Sequence, residues 1–214
     1  RDKIIVLPQA SEKLYEKATR DKEIENKYKD SFNVVFTGNI SPAQSFNTML
    51  QASKQLQSEG FDNIKWIIVG DGMSRRQVEK DIMKMGLTSL FSFEGQHPVE
   101  DMPKYIGVAD ILVGCLVKSD LLEATIPAKV MSYIASGKPI VLAMDGEARD
   151  LINTTIRCGY AGPTGDSRAL AENIKKVYNL PAPERRAMGE RARKYHFKHL
   201  ERNLLLSKML DFIY

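Results

Sequence analysis

Long apolar runs, paired cysteines and clustered histidines are all scarce in this chain, and each scarcity closes off a class of protein. No stretch approaches eighteen apolar residues, so no segment reads as a membrane-spanning helix. Cysteine occurs only at Cys115 and Cys158. Cys115 ends an apolar run and reads as a buried free thiol, not half of a disulfide, which fits a reducing compartment. The three histidines and two cysteines form no zinc-spaced set. Internal repeats and low-complexity tracts are missing too. The formal charge of +4 is mild: it permits anionic substrates or a membrane surface, yet without aromatic–basic interleaving it makes no case for nucleic acid. The opening residues, Arg1-Asp2-Lys3, lack methionine and are not a signal peptide, so a piece of a longer chain is expected.

What is present is an ordinary globular composition. At 214 residues, with 43% hydrophobic and 27% charged, the chain can bury one large core or two small ones. Ile4–Leu7 is a short strand closed by Pro8, and Ser11–Asp30 is a charged helix or connector. Apolar runs at Asn33–Thr37, Ile64–Val69, Leu90–Phe93, Ile111–Leu116, Ile140–Met144 and Cys158–Ala161 then alternate with amphipathic stretches at Ala43–Gln57, Ser74–Met85, Val99–Val108, Pro127–Ser136 and Glu147–Ile152. This spacing predicts an α/β fold: a Rossmann-like parallel sheet of about six strands with helices on both faces. Helices follow at Ser167–Tyr178, Glu184–Tyr195 and His199–Phe212. Three parts are expected: residues 1–30 as a linker strand and charged helix, 31–180 as the Rossmann-like domain, and 181–214 as C-terminal helices.

The most informative segment runs from Glu123 to Pro139. Pro127 suits a first helical position, where its missing N–H costs nothing. Lys129 then puts a cation in the first turn, which the helix dipole disfavours by roughly 0.3–1 kcal/mol. An anion bound at the helix start would make sense of that placement. Lys129 and Ser132 share a face, while Val130, Met131 and Ile134 point to the sheet. The alternative for Lys129 is a solvated surface lysine near Glu123.

In an open parallel sheet, ligands lie beyond the carboxyl ends of the strands. Gly38-Asn39 follows the first main run, and its small loop lets backbone approach a phosphate; a plain turn is the competing reading. Gly70-Asp71-Gly72 follows the second, where a lone Gly-x-Gly reads first as a turn. Gln96 and His97 follow the third, and a lone loop histidine is most often solvated. Asp145-Gly146-Glu147 reads either as an Asp-x-Glu metal pair or as an acidic helix start.

In this order, Gly38-Asn39, Val69-Gly70-Asp71-Gly72, Phe93-Glu94-Gly95 and Ile126-Pro127-Ala128-Lys129 through Gly137-Lys138-Pro139 resemble the donor site of GT-B retaining glycosyltransferases. The likeness is to the bacterial group that builds capsule and O-antigen units, and it covers about Val34 to Asn173. It implies the C-terminal, nucleotide-sugar-binding half of a GT-B fold. A sugar would pass from a nucleotide diphosphate, UDP above all, to a glycan or polyprenyl-diphosphate-linked acceptor, with no metal in the site and no cofactor beyond the donor itself. The base would lie near Gln96 and His97. The N–H groups of Ala124, Thr125, Ile126 and the helix start, with Lys129, would hold the diphosphate, and Ser132 the ribose.

The broad family has two glutamates where Ala124 and Ser132 stand, and an arginine where Asn39 stands. Glu123, one residue early, is the candidate to replace the first glutamate, so Glu123 and Lys129 are the expected catalytic residues. The resemblance further implies a missing N-terminal domain as partner, to which the last helix would cross. Its setting would be cytoplasmic, at the inner face of the membrane, where the basic helix Arg185–Arg193 is either a headgroup contact or a solvated face. The same departures leave a second function open: a degenerate GT-B domain serving as a non-catalytic binding module.

Overall fold

The computed structural model describes residues 4–17, 19 and 21–213. Six strands form one sheet: β1 (Phe32–Thr37), β2 (Ile64–Val69), β3 (Phe91–Gly95), β4 (Ile111–Cys115), β5 (Ile140–Ala143) and β6 (Gly159–Gly162). All pair in parallel, in the order β3-β2-β1-β4-β5-β6. The expected sheet is therefore present, and its strand order is that of a doubly wound Rossmann fold. Successive strands are added outward from β1 to β3 and then, from β4, in the opposite direction across the sheet, and that switch point between β1 and β4 is where a crevice opens.

Successive side chains of a strand leave on opposite faces, so each strand feeds two cores. Val34, Phe36, Ile111, Val113 and Cys115 join one, packed under α2 (Phe46–Ser58), α3 (Arg75–Met85) and α8 (Ser167–Tyr178). Val35, Leu112 and Leu142 join the other. That second core lies under α4 (Met102–Gly107), α6 (Ala128–Ser136) and α9 (Ala182–Tyr195). Both cysteines are buried free thiols.

Several local expectations change. Ile4–Leu7 is irregular, with Ile4 and Val6 exposed: it has no neighbouring strand to pair with. Of the Ser11–Asp30 stretch, Ala18 and Arg20 lie outside the described residues. The rest is a short turn at Lys13–Glu16 and α1 (Lys22–Tyr28), whose N-terminus Asp21 caps through its carboxylate. This segment is not merely exposed, because Tyr28 is buried and Glu16 meets His196. Pro127 is the N-cap of α6 with an extended backbone, not its first helical residue. A short α5 (Asp120–Glu123) precedes it, and α7 (Glu147–Asp150) runs into a π-helical stretch, Leu151–Ile156. A second π-helical stretch, His196–Leu200, separates α9 from α10 (Arg202–Ile213), where one helix from His199 was expected. Leu206, Leu210, Phe212 and Ile213 on α10 are exposed. Tyr214 lies outside the described residues. No described helix is long and apolar enough to cross a membrane.

Candidate donor-binding cleft

The loops after β1, β2 and β3 are knitted to one another beyond the strand ends. Gly38 N–H donates to the Val69 carbonyl at 2.9 Å, Gly70 N–H to the Gly95 carbonyl at 2.7 Å, and Ile40 N–H to the Asp71 carbonyl at 2.9 Å. Gly70 must be glycine for two reasons: its φ of +136°, and a Cβ there would stand 2.1 Å from the Gly38 oxygen. Asp71 is held by the Gly72 N–H at 2.7 Å and by Arg75 at 3.0 Å, which keep its carboxyl below the usual carboxylate value. These loops wall a cavity of about 550 Å³ that also touches Met102. Seven residues singled out in the sequence, Gly38, Asn39, Gly70, Asp71, Gly72, Gln96 and His97, line it together.

Lys129 closes the other side of Gly38. It is the second residue of α6, yet it does not extend into solvent. Its ammonium lies 3.8 Å from the centre of the Phe36 ring and 3.5 Å from where a Gly38 Cβ would be. It donates to Gln44 Oε1. The stem passes Gly114, where an added Cβ would meet Met144 at 2.8 Å and the Lys129 Cδ at 4.0 Å. Glycine at 38 and 114 thus makes the slot this side chain fills. No carboxylate pairs with Lys129 among the described residues, and the titratable group that acts on it is the Cys115 thiol, itself pushed up to about 12 by burial. Burial without a countercharge drives the Lys129 pKa down to about 7. The alternative of a solvated lysine beside Glu123 is therefore set aside.

The start of α6 adds unpaired donors. Pro127 offers no side-chain cap, and the Val130 N–H turns back to the Pro127 carbonyl at 2.8 Å. The Ala128 and Lys129 N–H groups have no carbonyl before them in the helix. Tyr133, one turn on and fully buried, accepts from the Thr37 N–H at 3.0 Å and so fixes α6 to the end of β1.

The Ser132 hydroxyl has local partners: it reaches back to the Ala128 carbonyl at 3.5 Å and pairs with Tyr15. Glu123 ends α5, with its carbonyl packed where a Gly146 Cβ would be, at 1.9 Å. The Ala124 and Thr125 N–H groups are spent on that turn, at 3.2 Å from the Asp120 carbonyl and 3.3 Å from that of Leu122, while Ile126 packs against the second core. Asp145 caps the turn at Thr164 and pairs with Arg149 at 3.0 Å. No group of three metal-ligating side chains occurs among the described residues.

At the far end of the cleft, His97 is tied down. Its Nε2 lies 2.9 Å from the Glu94 carbonyl oxygen and 2.8 Å from the Tyr105 hydroxyl. The Glu94 side chain accepts from both Lys27 and Ser92, at 2.9 and 2.8 Å, and from the Tyr28 hydroxyl. Burial alone would raise the Glu94 carboxyl, but these three donors together hold it below its usual value. Phe36, Gln44, Gly114, Tyr105 and this Glu94 cluster were not singled out in the sequence. Glu94 was quoted within the Phe93-Glu94-Gly95 pattern, without its partners.

Comparison with known proteins gives a consistent outcome. A family model described as glycosyl transferases group 1 matches residues 17–195. The 2-deoxystreptamine glucosyltransferase of Streptomyces kanamyceticus is 28% identical over 148 residues, 69% of this chain and 36% of that protein. The lipopolysaccharide 1,2-N-acetylglucosaminetransferase of Salmonella typhimurium is 27% identical over 176 residues, 78% of this chain and 44% of that protein. The crystal structure of Anabaena Alr3699/HepE in complex with UDP and glucose superposes with a TM-score of 0.78 at 16% identity, covering 95% of this chain and 55% of that one. The chain thus spans less than half the length of these curated relatives.

Proposed function

The chain belongs to the glycosyl transferases group 1 family, and from that premise we propose that it is the donor-binding domain of a retaining glycosyltransferase. The donor is a UDP-sugar, and the acceptor is a hydroxyl of a glycan or polyprenyl-diphosphate-linked saccharide in cell-surface polysaccharide synthesis. In the reaction the bond from the anomeric carbon to the diphosphate breaks and one to the acceptor oxygen forms. The leaving diphosphate takes the electron pair and the acceptor hydroxyl gives up its proton, to the departing phosphate oxygen or to solvent, so the domain's task is to stabilise the charge that builds on the diphosphate. One observation carries the reading: the Lys129 ammonium, packed against Phe36 and Gln44, sits at the switch point beside the helix-start N–H groups, with no carboxylate paired to it among the described residues. A diphosphate supplies the missing charge. No metal takes part.

In this reading Gly38, Asn39, Gly70, Asp71 and Gly72 border the diphosphate and sugar, Gln96 and His97 the base, and Ser132 the ribose, with Glu123 and Lys129 as the catalytic residues. Ile126, Ala124 and Thr125 shape the approach to α6. Residues 1–30 link to a preceding N-terminal domain, 31–180 bind the donor, and 181–214 return to that domain, which covers the exposed apolar face of α10. Between 182 and 214, eight Lys and Arg stand against four Asp and Glu, a surplus equal to the chain's whole net charge of +4. That asymmetry favours a cytoplasmic enzyme working at the anionic inner face of the membrane.

A thermal-shift panel of uridine, guanosine, adenosine and cytidine diphosphates, with and without sugars, tests the reading. UDP at ~100 times its Kd stabilises by about 2.7 kcal/mol, a melting shift of roughly 5–10 °C for a domain of this size. The isolated chain binds nucleotide and transfers no sugar. A flat response to every nucleotide at millimolar concentration favours instead the non-catalytic binding module.

A further inference from the structure

We infer that His97 selects the base of the bound nucleotide by presenting a fixed hydrogen-bond acceptor, so that the cleft takes bases offering a ring N–H, uracil or guanine, and rejects cytosine and adenine. The inference rests on the nucleotide reading above and adds to it a discriminating atom. It begins with a constraint on the imidazole. Nε2 lies 2.9 Å from the Glu94 carbonyl oxygen and 2.8 Å from the Tyr105 hydroxyl. A carbonyl oxygen only accepts, so the Glu94 contact requires the proton on Nε2. The Tyr105 oxygen accepts from the same N–H. The opposite tautomer would set two lone pairs against each other at 2.9 Å. In the neutral ring Nδ1 is therefore bare.

That nitrogen is available. It makes no protein hydrogen bond among the described residues, and it is absent from the buried unpartnered atoms, where His196 Nδ1 does appear. The ring itself is held in place. The carbonyl that fixes the ring belongs to β3, whose Glu94 side chain is anchored by Lys27, Tyr28 and Ser92. The Tyr105 ring packs on the imidazole with centroids 4.8 Å apart.

The direction of a nucleotide in the cleft follows from charge. Lys129 and the open start of α6 lie beside Gly38, whereas His97, Gln96 and Met102 lie across the cavity. The diphosphate goes to the cationic end, and the base reaches His97. Uracil N3 and guanine N1 carry a proton that Nδ1 accepts. Cytosine N3 and adenine N1 carry a lone pair that opposes it.

Calorimetry with UDP, GDP, CDP and ADP on this chain and on His97→Asn tests the proposal. The wild-type chain binds UDP or GDP about tenfold or more tightly than CDP and ADP, the size expected when one hydrogen bond is exchanged for a mismatch. In His97→Asn the amide turns either edge to the ligand, and the UDP-to-CDP ratio falls to about threefold or less, mainly because CDP gains. Imidazole ¹⁵N shifts of the free protein report a protonated Nε2 at His97. A protonated Nδ1, or an unchanged ratio in His97→Asn while UDP binding still depends on Lys129, overturns the His97 assignment and leaves the nucleotide reading standing. Failure of the wild-type chain to bind any nucleotide overturns both.

Discussion

Two lysines, one paired with Glu94 at the end of β3 and one beside Gly38 after β1, are treated in opposite ways. Lys27, half exposed, gives its ammonium to both oxygens of Glu94 at 2.9 Å, and Tyr28 and Ser92 complete that carboxylate's partners. Lys129, its ammonium sunk against Phe36 and Gly38, has only an amide oxygen and an aromatic face. The first corner is closed: every charge has its partner, and a ligand would gain nothing by entering. At the second, desolvation has been incurred without the ion pair that normally offsets it. A buried cation without a countercharge lowers stability and raises affinity for an anion, so the two lysines should separate cleanly when each is removed.

The largest effect is expected from Lys129→Met, which keeps the stem beside Gly114 and removes the charge. UDP binding should weaken by about 1.5–3 kcal/mol, the range for hydrogen bonds to charged groups, while the melting temperature stays level or rises. Calorimetry and thermal melting read the two quantities separately. A clear drop in stability with unchanged affinity would make Lys129 a structural residue and erase the contrast.

Glu94→Ala should do the reverse. It leaves the Ser92 hydroxyl short of an acceptor, while Tyr28 still donates to Ser92 Oγ at 2.9 Å, for a stability loss of about 1–3 kcal/mol; the exposed Lys27 adds little. UDP affinity should stay within about twofold, because His97 is held by the Glu94 carbonyl and not by its carboxylate. The native Glu94 carboxyl is held below its ordinary value of 4.5. Its contribution is therefore complete above that value and lost as pH falls through the lowered native one. Denaturation curves of the two proteins should converge in acid, and a gap that persists at low pH would remove the carboxylate from the account.

Both corners belong to a frame that was readable from residue order alone, whereas their contents were not. Six apolar runs gave six strands because a parallel strand covered on both faces is a short, nearly unbroken apolar run. Gly38 and Gly70-Asp71-Gly72 announced the loops that meet beyond them. The path of Lys129 was hidden, since periodicity along α6 places it on an outward face with Ser132. Two glycines remote in sequence, Gly38 and Gly114, open the slot that draws it inward. Glu94 was quoted only as part of a strand-end pattern, because its partners Lys27 and Tyr28 come from a charged segment with no strong signal. The π-helical turns Leu151–Ile156 and His196–Leu200 follow from packing at helix ends, for which no local residue preference exists.

The smallest effect, and the one that ties the contrast to a proton, is the pH dependence of binding. Lys129 has its pKa lowered from 10.5 to about 7 by burial. Between those values the unfolded chain holds one more proton than the native one, so stability from this residue rises with pH across that window. The penalty is greatest below pH 7 and is the part that Lys129→Met removes. Binding runs the other way. A diphosphate needs the ammonium, so above pH 7 the free site must take up a proton as it closes on the anion, and affinity should fall by up to about 1.4 kcal/mol per pH unit. Titrations in buffers of different ionisation enthalpy should register close to one proton taken up near pH 8.5 and almost none near pH 6. Lys27, already paired with a carboxylate, gives no such signal, so Lys129→Met should abolish the uptake entirely. Uptake that survives in that variant would move the proton, and with it the anion's partner, away from Lys129.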